Sequence, residues 1–288
     1  FLMSQLKRSL GFPTLLALSI SSIIGTGMFF APAIAAGIAG NISILAWIFL
    51  ALVSVYVAGC FGELVSIYPK AGGIYEYAKQ TYGRFISFIL GWIGWLTESI
   101  ITSLLIVGAI TYLLPEGISP ITTIIISLCF ILLLNLITFI GLEASSIMII
   151  SFAIITLAVL SLIILRGLFF INLKNFIPFF THPPSNIFLA MFFMAETFFG
   201  YEAATYLAEE TKNPEKVIPK ALIYGTIIVG ALALLLVFIL LGIFNWSNLA
   251  KLQSPVFELS KSIFGVFGEY IGGVGIYLPT EPILITLM

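Results

Sequence analysis

The chain has 288 residues, of which 60% are hydrophobic and 9% charged, with a formal net charge of -1. Its mean hydropathy is +1.18, whereas soluble domains carry about 25% charged residues, so a water-facing surface cannot be covered and a soluble fold is excluded. The near-zero charge also argues against nucleic acid as a partner, which would want a basic patch; the lipid bilayer is the expected surrounding.

Taken in chain order, residues 1–12 hold Lys7 and Arg8 and show no small-residue cleavage site, so they do not read as a signal peptide. Beginning with Phe1, the chain reads as a fragment at that end. A membrane helix needs about 20 apolar residues. Such runs fall at about 13–38, 43–66, 85–114, 119–140, 144–165, 186–208 and 219–244. An eighth begins near Ile263 and is cut by Pro279 and Pro282. The runs are continuous and show no alternating period, which predicts helices rather than barrel strands. The fold class is therefore all-α, a polytopic membrane helical bundle.

Lys and Arg placement predicts orientation. With the N-terminus inside, Lys7, Arg8, Lys70, Lys79, Arg84, Lys212, Lys216 and Lys220 are cytoplasmic, and Arg166, Lys174, Lys251 and Lys261 are outside. The expected location is the cell membrane, multi-pass, with a cytoplasmic N-terminus. Two glycosylation triplets, at Asn41 and Asn245, fall on the predicted outer side and carry no weight.

Two spans share an irregularity. The first holds Gly25-Thr26-Gly27 near its middle, and the sixth holds Phe198-Phe199-Gly200-Tyr201-Glu202. Each helical Gly costs about 1 kcal/mol, so these stretches either pack helices closely through small residues or break the helix. Interruptions five spans apart favour breaks, the mark of inverted-repeat transporters. A broken helix offers N–H groups at one end and C=O groups at the other, which suit the carboxylate and ammonium of an α-amino acid.

Four stretches carry a resemblance: Ile24 to Phe29; Glu63-Leu64 with Tyr68 to Tyr75; Phe199 to Glu202; and Ala208 to Pro214 with Ile218 to Ala221. They resemble the amino acid–polyamine–organocation family of permeases, whose LeuT-type fold is an inverted repeat with broken helices 1 and 6. The resemblance implies a first five-helix repeat at 12–166 and an incomplete second repeat at 184–288, so the chain reads as truncated. It also implies substrate-binding roles for Ile23, Gly25, Thr26 and Gly27 in the first break, and for Phe198, Phe199 and Gly200 in the second. Trp95 lies on a helix that lines the site in the family. Glu202 matches an acidic position that helps couple gating to protonation. Thr156 stands about where some proton-coupled members carry a Lys, leaving exchange, Glu-based proton coupling or sodium coordination.

Three carboxylates lie inside spans, where charge is expensive and usually functional: Glu98, Glu196 and Glu202. Glu196 either meets a cationic side chain or a proton, or bonds Thr197 or backbone. The loop from Glu209 to Lys216 is either a solvated connector or an inner gate, and Lys70 to Tyr82 resembles the family's amphipathic inner-loop helix. His182, Cys60 and Cys129 form no metal cluster, no span contains His, and no nucleotide loop or Gly-x-Ser-x-Gly occurs. An enzyme, a cofactor and a metal site are therefore not expected. The expected function is secondary transport of amino acids by alternating access, proton-coupled or exchanging. The alternative is a truncated, non-transporting or channel-like subunit. An amino acid is the expected small-molecule partner, and a homo-oligomer is left open.

Overall fold

The computed structural model describes residues 8–113, 119–140, 142–200, 202–265 and 267–268. The eighth apolar stretch, with Pro279 and Pro282, lies outside them, as do Tyr201 and the N-terminal Lys7. The described chain is a helical membrane bundle. Its apolar stretches long enough to cross a bilayer are Phe12–Ile67, Arg84–Ile101, Ile147–Phe170, Asn186–Tyr206 and Pro214–Leu249, with Pro120–Leu133 as a shorter apolar helix. Phe12–Ile67 alone has 56 residues, which is two crossings at about 20 residues each.

The first crossing is divided into α1 (Phe12–Ile23) and α2 (Thr26–Ala39), and α3 (Ser43–Ile67) forms the second. A short surface helix, α4 (Ile74–Tyr82), follows and leads into α5 (Arg84–Leu113). Next come α6 (Pro120–Ile140) and α7 (Leu142–Gly167). The sixth crossing is again divided, into α8 (Asn186–Met194), a 3₁₀ turn at Ala195–Phe198, and α9 (Ala203–Tyr206). The last long helix is α10 (Pro214–Leu249), followed by α11 (Pro255–Phe264). Pro214 and Pro255 each open their helix, where a missing N–H costs nothing and the fixed φ is already helical. At its far end α10 kinks at Asn245, whose φ is 60°. There the Asn245 side chain accepts from the Ser247 amide at 2.9 Å and from the Ser247 hydroxyl at 3.2 Å.

The bundle is assembled around α10, which packs on α3, α1 and α2. Small residues let the backbones approach. A Cβ at Gly225 would lie 2.9 Å from Ser19 Cβ, and one at Gly62 would lie 3.0 Å from Pro219 Cβ. Because lipid supplies no hydrophobic drive between helices, such close contact is what holds them. Buried side chains include Leu15, Leu18, Trp47, Leu160, Leu222 and Leu240. Outward-facing Phe88, Trp92, Leu132 and Phe192 are exposed apolar groups suited to acyl chains.

A strap between α7 and α8 closes one end. Asn41, fully buried, donates both amide hydrogens, to the carbonyls of Asn175 (3.1 Å) and Pro178 (3.0 Å). Asn175 in turn donates to the Gly242 carbonyl at 2.7 Å, and Asn186 donates to the Ile38 carbonyl at 2.6 Å. A buried Asn41 with both hydrogens engaged is a structural residue, not a glycosylation acceptor.

At the opposite end the segment before α1 pairs with the loop after α9. Ser9 and Leu10 both donate to the Glu210 carbonyl at 3.0 Å, and Lys212 returns a bond to the Leu10 carbonyl at 2.9 Å. Burial pushes the Glu210 carboxyl above the usual carboxylate range, and neighbouring Glu209 pushes it the same way. Protonation of Glu210 therefore favours the folded state. That contribution is complete below the unfolded carboxyl value and is lost as pH rises through the higher folded one. Glu210→Gln should raise the thermal midpoint in detergent at neutral pH and leave it unchanged at about pH 4. Equal midpoints for parent and variant at both pH values would contradict this.

Candidate functional site

The two interruptions are real breaks and they face each other. In the first, Ile24 leaves the helix at φ -75° and ψ 81°, and Gly25 is extended at φ -109° and ψ -165°. The Ile24 and Gly25 amides close back onto the carbonyls of Ile20 (3.0 Å) and Ile23 (2.9 Å), and the Met28 amide bonds the Gly25 carbonyl at 3.2 Å. Thr26 and Gly27 thus head a new helix, where the first N–H groups lack intrahelical acceptors.

In the second break, the 3₁₀ turn ends at Phe198 and Phe199 runs extended at φ -75° and ψ 159°. Gly200 then takes φ +110°, a conformation open to glycine because it has no Cβ. The Gly200 amide donates to the Glu202 carboxylate at 3.0 Å, and the Phe199 amide donates to the Glu196 carbonyl at 3.0 Å. Thr205 bonds the Glu202 carbonyl through its amide (2.8 Å) and its hydroxyl (2.5 Å).

The glycines show how closely the breaks meet. A Cβ at Gly27 would stand 2.7 Å from both the Cα and the hydroxyl oxygen of Thr197. A Cβ at Gly200 would run into the carbonyl oxygen of Ser22. The head of α2 therefore lies against the 3₁₀ turn, and the end of α1 lies against Gly200. Buried hydroxyls collect here: those of Ser21, Ser22 and Thr197 have no hydrogen-bond partner within the described chain.

The structure separates the other expected residues. Ile23 is buried beside the first break. Phe198 is buried with its ring turned away into the core, edge-on to Trp47 at 6.2 Å. Phe199, next in sequence, is 57% exposed, and Glu196 is exposed as well. Trp95 is also 57% exposed and lies beside Trp92 at 5.3 Å, on a helix that packs chiefly against α4 and α6. Thr156 is buried on α7, which packs against α1, and its hydroxyl has no hydrogen-bond partner among the described residues. Glu202 serves as the acceptor that caps the second break. The Thr26 side chain lies outside what is described. Ser22 and Thr197 are drawn into the site by geometry. Their sequence signal was the cluster of small hydroxyl residues next to each interruption. Among the described residues no cluster of His, Cys or Glu is arranged to hold a metal.

A family model for amino acid permeases matches residues 10–286. The chain is 29% identical over 282 residues to the uncharacterized amino acid permease YecA of Bacillus subtilis, covering 94% of this chain and 64% of that protein. It is 27% identical to the branched-chain amino acid permease BcaP of Bacillus subtilis, covering 88% of this chain and 58% of the relative. It is 28% identical to the serine/threonine exchanger SteT of the same organism, over 94% of this chain and 63% of the relative. The chain thus spans about three fifths of the length of these relatives.

The close fit at Gly200 can be tested. Gly200→Ala places a Cβ against the Ser22 carbonyl on a backbone that L-residues resist, which should cost about 1–3 kcal/mol. Gly94→Ala, with open space around it, should be neutral. Thermal unfolding followed by circular dichroism in detergent compares the two, and equal midpoints would show that the breaks do not depend on Gly200.

Proposed function

The chain belongs to the amino acid permease family, and from that premise we propose that it carries the substrate-binding core of a secondary transporter. The core moves amino acids across the cell membrane by alternating access, with the N-terminus in the cytoplasm. The observation that carries this reading is the meeting of the two breaks, Gly27 on Thr197 and Gly200 on Ser22. In lipid, irregular backbone is tolerated where it is buried in protein or lines a cavity, and paired breaks near mid-membrane are where transporters bind their cargo.

In this reading the N–H groups at the head of α2, from Thr26 and Gly27, hold the substrate carboxylate. The carbonyls of Phe198 and Phe199 accept from its ammonium. Ile23, Gly25 and Gly200 shape the backbone around it, and Ser22 and Thr197 add hydroxyls; Trp95, facing outward beside Trp92, has no part in this reading. Backbone dipoles thus match a zwitterion without formal charge. The relatives named above as a branched-chain amino acid permease and a serine/threonine exchanger support a neutral side chain. Residues 12–166 form the first five-helix repeat, and 184–288 hold part of the second. Coupling runs either through exchange or through protons at Glu202 or Glu196, with Thr156 an alternative sodium ligand.

Binding to the chain in lipid nanodiscs, measured by equilibrium dialysis with radiolabelled amino acids, tests the site. Gly27→Leu drives a side chain into Thr197 and should abolish stereoselective binding while membrane insertion persists. Binding equal to that of the parent would remove the breaks as the substrate site. Failure of the parent to bind any amino acid stereoselectively would favour the channel-like or non-transporting alternative.

Glu196→Gln separates two uses of that carboxylate in proteoliposomes. If it carries the coupled proton, uptake of every substrate should lose its pH dependence. If it meets a cationic side chain, Lys and Arg binding should fall about tenfold or more, by roughly 1.4 kcal/mol, with Leu and Ala unaffected. Unchanged behaviour on both counts would leave Glu196 a structural group.

A further inference from the structure

The surface helix α4 is built differently from the spans. Its inner side is buried: Glu76, Tyr77 and Ala78 are covered, and the Tyr77 ring packs edge-on to Phe61 at 6.4 Å. The turn before it docks on α9. Gly73, at φ +47°, would place a Cβ 2.6 Å from the Thr205 hydroxyl and 2.9 Å from the Tyr206 ring. Burial pushes the Tyr77 hydroxyl up to about 12, so it stays neutral where it packs under α4.

The outer side is aromatic and basic. Tyr75 is 39% exposed, Tyr82 65% and Phe85 76%. Lys79 lies 6.0 Å above the Tyr75 ring, and Lys70 and Arg84 are exposed on either side of the helix. The one carboxylate of α4, Glu76, is buried and turned to local partners. It accepts from Gln80 at 2.7 Å and from Lys79 at 3.2 Å, with Lys70 at 4.0 Å. The hydrogen bond from Gln80 and the nearby lysines hold its carboxyl below the usual range. This surface lies at the end of the bundle where Ser66 bonds the Glu215 carbonyl at 3.0 Å, close to Lys212, Lys216 and Lys220 in sequence. Aromatic rings beside cations at the end of a span are matched to the headgroup layer, and each cation near an anionic leaflet contributes about 1 kcal/mol.

We propose that α4 and the turn after it form a docking surface for anionic phospholipid headgroups, with Lys70, Lys79 and Arg84 meeting the phosphates and Tyr75, Tyr82 and Phe85 seated at the interface. The surface is independent of what the breaks bind. Because α4 is seated on α9 through Gly73, headgroup binding bears directly on the second half of the broken sixth span.

The chain in nanodiscs of phosphatidylcholine alone, or with phosphatidylglycerol added, gives the test. Phosphatidylglycerol should raise the thermal midpoint of the parent, and added salt should remove that rise, since exposed charges are screened. Lys79→Gln with Arg84→Gln should lose most of the rise, while Lys174→Gln with Lys251→Gln, at the opposite end of α10, should keep it. Retention of the full rise by the first pair, or an equal loss in the second, would overturn the proposal. So would an equal rise produced by free glycerol phosphate in phosphatidylcholine discs, which would identify a soluble phosphate site instead. Should the first pair not fold, the salt series on the parent decides, and a salt-insensitive rise would overturn the proposal.

Discussion

Backbone hydrogen bonding in hydrocarbon is the constraint from which this structure follows. A peptide group facing lipid has no water to bond, so every crossing is helical unless another part of the protein meets the freed groups. Among the described residues, and apart from the Asn245 kink of α10, the first and sixth crossings leave the α-helix at residues 24–25 and 195–200, and the chain sets these two departures against each other. Local bonds cover part of the need: Gly25 bonds the Ile23 carbonyl, and the Glu202 carboxylate takes the Gly200 amide. What remains open, the head of α2 and the buried hydroxyls of Ser22 and Thr197, lies where these two breaks meet.

Holding two breaks together demands a rigid surround. The long helix α10 provides it, approaching α1 at Gly225 and α3 through Pro219 against Gly62. At one end Asn41 and Asn175 tie the strap to the end of α2 and to α10, and Asn186 ties α8 to α2. At the other, the Leu10–Thr211 bridge ties the entry of α1 to the exit of α9. Each divided crossing is therefore fastened beyond its break, so the short pieces α8 and α9 need not be stable helices by themselves. Phe198, wedged behind the turn against Trp47, supports the second break from its core side.

Much of this was legible in the residues. The second crossing was expected at about 43–66 and is Ser43–Ile67; the sixth was expected to begin at about 186 and begins at Asn186. Both interruptions were found from Gly25-Thr26-Gly27 and Phe199-Gly200, because glycine and small polar residues weaken a helix wherever it stands. The side chains around the breaks were not legible in the same way. Nothing in the order Glu196, Thr197, Phe198, Phe199 says that Thr197 meets Gly27 and Phe198 turns to the core while Phe199 and Glu196 face outward. Trp95 was grouped with the site by likeness, and the structure places it outward, beside Trp92.

By itself, the sequence determined the solvent, the helical class, the crossings and the positions of the breaks. These depend on how many apolar residues run in succession and where glycine or proline interrupts them, which are properties of the chain in one dimension. The tertiary structure decided which face of each helix meets protein, and therefore which hydroxyls and rings surround the breaks. In a soluble helix a polar stripe would have marked that choice, but lipid tails are as apolar as leucine, so helices apolar on every side carry no such mark until they are packed.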